Sequence, residues 1–366
     1  MKKIKFLTIA MMAIMATATF VACSDDDNES SNMERYQNEV DKAVKKQKKN
    51  DKAILLVAFG ATWQQAYDAF DLTRDEYAKE FSDYDVYLSF SSAICINRAR
   101  AAENTAARDF YEPKYWLEAF GRVQYEEIIV QSMQVIPGEE YGRVVSAVKD
   151  FANNSNGDID DTYLSKVTIK IGLPLMATEG DAKILATELN KNFSEYAGKG
   201  AMLFMGHGNP DEYDTYKANV RYTQLENYLQ TINPNYFVGT VDMKENFKTQ
   251  VRDRMIAHGI TSGKVYCAPL MSIAGDHAHN DMAGDDDAWD EAKGDYEVNE
   301  EGEVEDTSWK CYFGNKGYDI DPVAFTDNGE GLVKGLLEYK NIRNLYINHT
   351  ANAEVVDYYH SMFPEE

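Results

Sequence analysis

Short apolar runs alternate along most of the chain with longer stretches of helical spacing. Ala53–Phe59, Val86–Phe90, Glu127–Gln131 and Val167–Ile171 read as strands, with helical stretches such as Tyr67–Phe81 between them. The order recurs at Met202–Met205, Phe237–Val241, Lys264–Ala268 and Asn344–Asn348, now with Lys183–Phe193 and Phe247–His258 as the intervening helices. Strand and helix in alternation predict parallel sheets with crossover helices. The fold class expected is therefore α/β, in two four-stranded halves spanning residues 51–180 and 181–366 and joined near 176–182.

A local duplication supports that division. Ile128–Glu140 aligns without a gap on Val265–His277: an apolar strand, a Met- or Leu-bearing loop, then Gly and two polar residues. Leu55–Gly60 likewise matches Leu203–Gly208, which sets Phe59 in the first half against His207 in the second. The halves are thus expected to be related by a pseudo-two-fold axis. Open parallel sheets bind ligands beyond their carboxyl edges, where these matched segments lie.

Outside this rhythm stand four segments. Residues 1–22 carry Lys2, Lys3 and Lys5 and then an apolar run from Phe6 to Ala22, the form of a secretory signal and not of a membrane span. Phe20-Val-Ala-Cys23 resembles a lipobox, so Cys23 is the expected lipidation site of an exported, membrane-anchored protein. Residues 23–50 are expected to be a polar tether with some helix potential at Val40, Ala43 and Val44. The acidic stretch 284–306 reads as an exposed insertion, and Ala353–Phe363 as a C-terminal helix.

Charge narrows the function. With 61 acidic against 37 basic residues the net charge is −24, which excludes a nucleic-acid partner. A polyanionic ligand would need a locally basic cleft, for which Arg98, Arg100 and Arg108 are the nearest candidates. Apart from Cys23, the cysteines Cys95, Cys267 and Cys311 imply no disulfide framework. No phosphate-binding loop, HExxH pair, nucleophile elbow or dinucleotide fingerprint occurs.

The candidate chemistry lies at the duplicated strand ends. His207 stands between two glycines, and His277 opens a donor-rich loop that continues through His279 and Asp281. Glu140 is the matching residue of the first half, with a helix-start carboxylate as its ordinary alternative. A Glu/His/His set suits a divalent metal, so Glu140, His207 and His277 are the expected catalytic and metal-binding residues. Phe59, Gly60, Trp63, Phe90, Met133 and Met271 are candidates to line an apolar slot. His258 reads as a helix-end residue, His349 as the end of a strand, and His360 as surface or packing.

Together Ala53–Gly60, Ser132–Tyr141, Phe204–Gly208 and Ala274–Gly284 resemble the anaerobic-type sirohydrochlorin cobaltochelatases, from about residue 52 onward. The resemblance implies two flavodoxin-like halves of the class II chelatase type. A tetrapyrrole would lie between them, and Glu140, His207 and His277 would hold a divalent metal substrate: Co²⁺ first, with Fe²⁺ or Ni²⁺ as alternatives. Departures are Gln134 where the family commonly has histidine, Ala58-Phe59-Gly60 in place of Ser-Phe-Gly, and the acidic insertion. Two functions follow: a lipid-anchored chelatase, or a surface haem or corrinoid capture protein that keeps the cleft for binding.

Overall fold

The computed structural model describes residues 26–102, 106–214, 216–322 and 333–356. The expected signal sequence, Cys23 and His360 lie outside them. The first half runs α1 (Asp26–Gln47), β1 (Lys52–Ala58), α2 (Gln64–Glu80), β2 (Asp85–Phe90), α3 (Ala93–Arg100), α4 (Pro113–Arg122), β3 (Glu127–Ser132), α5 (Glu139–Ala152), α6 (Asp161–Leu164) and β4 (Thr168–Gly172). The rest comprises α7 (Glu179–Ala197), β5 (Ala201–Gly206), α8 (Val220–Ile232), β6 (Tyr236–Thr240), α9 (Lys248–Ala257), β7 (Gly263–Pro269), α10 (Trp309–Asn315), β8 (Tyr318–Pro322), α11 (Lys340–Ala351) and β9 (Glu354–Val355).

Strand order is β2-β1-β3-β4-β9 in one sheet and β6-β5-β7-β8 in the other. Apart from the antiparallel β4–β9 pair, every pairing between these strands is parallel. The central strands β1 and β5 are buried almost throughout, as strands covered by helices on both faces must be. Identical order around these two strands is the structural form of the repeat seen in the sequence.

Three expectations are corrected. Asn344–Asn348 lies within helix α11, and the fourth strand of the second sheet is β8, whose alternating exposure and Asp319 and Asp321 had concealed it. Ala353–Phe363 opens as β9, which adds an antiparallel fifth strand to the first sheet; residues from 357 on lie outside the described ones. Within the segment 23–50, expected to be a tether, the described residues are docked: α1 packs on α4 and buries Val40 and Val44 completely. These two apolar residues, four apart, lie on one face of the helix and anchor it.

The C-terminal chain crosses back onto the first half. From α11, Tyr346 donates to the Met133 and Gln134 carbonyls at 3.1 and 3.2 Å, and Thr350 to Gln131 at 2.8 Å. Conversely α7, which follows β4, packs on α8 and sets Phe193 edge-on to Phe204 of β5. The insertion is largely exposed as expected, though Tyr296 and Val304 are buried and tie it to the second core.

Candidate functional site

The carboxyl edges of the two sheets face each other, as contacts between their loops show. Beyond β1, Trp63 donates its indole N–H to Asp276 at 2.6 Å and stacks on His279 with centroids 3.9 Å apart. Beyond β5, Asn209 accepts from the Glu139 N–H at 3.4 Å. Gly138 permits that approach, since a Cβ there would stand 2.5 Å from the Asn209 side chain. Loops of both halves therefore close on one cleft.

His207 and His277 meet in it, with ring centroids 4.8 Å apart and planes at 85°. His207 Nδ1 lies 2.8 Å from the Gly208 carbonyl and 3.2 Å from Asp242, which follows β6. His277 Nδ1 lies 2.5 Å from Asp281, one helical turn further on. Half of the His207 side chain, 50%, stays open to solvent. Enclosure disfavours charge on His207, the neighbouring His277 adds to that, and its pKa falls below the ordinary imidazole value. Burial acts against protonation of His277 too, but Asp281, Asp242 and Asp276 outweigh it and raise its pKa.

Glu140 sits in the first turn of α5, on the opposite wall. Ser91 donates to it at 3.3 Å and Arg143 stands 3.6 Å away. Burial raises its pKa, with Arg143 opposing. The expected three-residue metal set is not assembled in this conformation. Among the described residues no three His, Cys, Asp or Glu side chains stand close enough to hold an ion. The two imidazoles share one half, whereas the carboxylate is held by partners of the other.

The expected apolar slot divides in the same way. Phe59 is 47% exposed just beyond β1, and Ile94 is also exposed at the start of α3. Gly60 is buried with φ of +125°, and a Cβ there would lie 2.7 Å from that of Cys95. Trp63 spans the cleft as described, and Met271 is half-buried against the second core. Phe90 and Met133, by contrast, are core residues: Phe90 stacks on Phe110 at 3.7 Å, and Met133 is 2% exposed. Both belong to the core cluster that runs through the two halves.

The remaining candidates have ordinary partners. His258 caps α9, and His349 lies in α11 3.6 Å from Asp181. Arg98 pairs with Asp276, Arg100 with Asp109 and Arg108 with Asp71, so none of the three supplies an uncompensated basic patch. The sequence placed Asp281 only within a donor-rich loop, without a role, and gave no sign of Asp242 or Lys248. Asp281 was legible at four residues from His277 on a helical turn. Asp242 reaches the site only through the sheet. Lys248 is buried at the start of α9, and burial lowers its pKa against the opposing influence of Glu303 and Asp281.

A family model described as "Cobalt chelatase (CbiK)" matches residues 52–294. The chain belongs to the cobalt chelatase family. It is 27% identical over 311 residues to "Sirohydrochlorin cobaltochelatase CbiKC" of Nitratidesulfovibrio vulgaris, covering 84% of this chain and 92% of that one. It is 26% identical over 240 residues to "Sirohydrochlorin cobaltochelatase" of Salmonella typhimurium, covering 65% and 83% respectively. "SirB from Bacillus subtilis with Fe3+" aligns over 86% of this chain and 99% of its own, with 12% identity and a TM-score of 0.49. Family membership rests on the sequence match. The protein is accordingly a metal chelatase.

Proposed function

We propose that this protein inserts Co²⁺ into sirohydrochlorin, or a closely related tetrapyrrole, in the cleft between its halves. The imidazole pair carries the reading: two imidazole nitrogen donors on one wall, fixed from behind and open in front, suit a borderline divalent cation. Exposed Phe59 and Ile94 offer an apolar surface on which a macrocycle can lie. Glu140, on the other wall with a raised pKa, is suited to complete the metal site on closure or to accept a pyrrole proton. Its relatives' named substrate and the family's metal favour Co²⁺ over Fe²⁺ or Ni²⁺.

We further propose that the chain acts outside the cytoplasm, tethered through lipidated Cys23. The basic, apolar and small-residue order of residues 1–23 supports this. A haem or corrinoid capture role is the competing outcome. Anaerobic incubation with Co²⁺ and sirohydrochlorin, followed by absorbance, distinguishes the two when run beside a haem titration. Metallation is expected, with a rate lowered at least about 100-fold in His207→Ala and His277→Ala. Tight haem binding without metallation would overturn the enzymatic reading.

A further inference from the structure

We infer that Asp242 and Asp281 are positioning residues that set the donor atom of each imidazole, and that they do so unequally. The inference rests on the proposed role of His207 and His277 as cation ligands. His207 Nδ1 faces two oxygens, the Gly208 carbonyl at 2.8 Å and Asp242 Oδ2 at 3.2 Å. Both are acceptors, so Nδ1 carries the hydrogen and Nε2 keeps its lone pair. His277 Nδ1 faces Asp281 Oδ2 at 2.5 Å, which assigns the same tautomer there. Each half of the pair thus presents Nε2, and metal–nitrogen bonds of about 2 Å can span rings whose centroids lie 4.8 Å apart.

The inequality comes from redundancy. The tautomer of His207 is held twice, once by backbone that no substitution at Asp242 removes. That of His277 is held by a single carboxylate, on a short turn that brings Asp281 under the ring four residues later. A carboxylate on the far nitrogen also makes an imidazole a stronger donor, and losing such a partner typically weakens metal affinity about 10–100-fold. Asp281 is therefore the decisive partner and Asp242 the lesser one. The arrangement also draws the two residues from different sources, one local to its histidine and one delivered by the neighbouring strand β6.

Anaerobic titration of the full chain with Co²⁺ alone, read by the visible absorption of the bound ion, tests this. Asp281→Ala is expected to raise the Kd for Co²⁺ about 10–100-fold, and Asp242→Ala about 3-fold or less. Asp281→Asn, which keeps the shape and loses the charge, should fall between wild type and alanine, and it serves as the reading if the alanine variant does not fold. Equal, wild-type affinities in both aspartate variants, with His277→Ala still impaired, would overturn the inference and leave the ligand assignment standing. Binding of Co²⁺ that neither His207→Ala nor His277→Ala alters would remove the ligand assignment, and the inference with it.

Discussion

His207 and His277 share a residue type and a cleft, yet their surroundings push them apart. Enclosure and a neighbouring imidazole lower the pKa of His207, whereas at His277 burial is outweighed by three aspartates that raise it. A metal binds only the neutral ring, so protons compete at His277 first. Because its pKa is raised, competition begins above the ordinary imidazole value of about 6.5. Affinity for Co²⁺ should therefore already decline as pH is lowered toward the ordinary imidazole value of about 6.5, as measured by direct titration at fixed ionic strength; a constant affinity down to that value would contradict this assignment. The histidines themselves were legible from the duplicated phrase, since only one copy carries them. Their unequal surroundings were not, because the burial of each ring and the approach of Asp242 to both are set by packing and strand pairing.

At the scale of elements, the strands were easier to recognise than what covers them. Buried central strands such as β1 and β5 are continuous apolar runs, whereas β8 alternates and α11 has an apolar stretch that mimics a strand. The helix α1 shows how little apolar surface decides docking. Its face meets Tyr115 and Trp116, Gln37 donates to the Tyr115 carbonyl at 3.0 Å, and Asp41 pairs with Arg122 at 2.8 Å. Val44→Asp should then cost about 3–5 kcal/mol in urea unfolding, the cost of an unpaired buried charge. A change below about 0.5 kcal/mol would return the segment to the status of a tether.

For the molecule as a whole, the two halves are not independent units joined at one point. A shared core runs through Ile54, Met133, Leu185 and Phe204, and α11 is fastened to the first half by Arg343, whose guanidinium donates to Glu76 at 2.6 and 2.9 Å. Hydrogen bonding from Arg343 lowers the pKa of Glu76 despite some burial. A depressed carboxylate contributes stability that is present above its unfolded pKa, about 4.3, and is lost as pH falls through the folded value. Arg343→Met should thus destabilise the protein by about 1.5–3 kcal/mol near neutral pH. The deficit should shrink below about pH 4, where wild-type Glu76 also takes up its proton; a deficit independent of pH would assign the loss to packing alone.

Periodicity and repetition alone determined the α/β class, the twofold pattern and the histidines at the strand ends, because all three depend on residues close together in the chain. Only the tertiary structure decided that Glu140 stands apart from the imidazoles, that Phe90 and Met133 belong to the core, and that the chain's end returns to its first sheet. Those outcomes depend on which loops meet across a cleft and which side of a strand faces a helix. Such relations join residues far apart in sequence, where no local pattern records them.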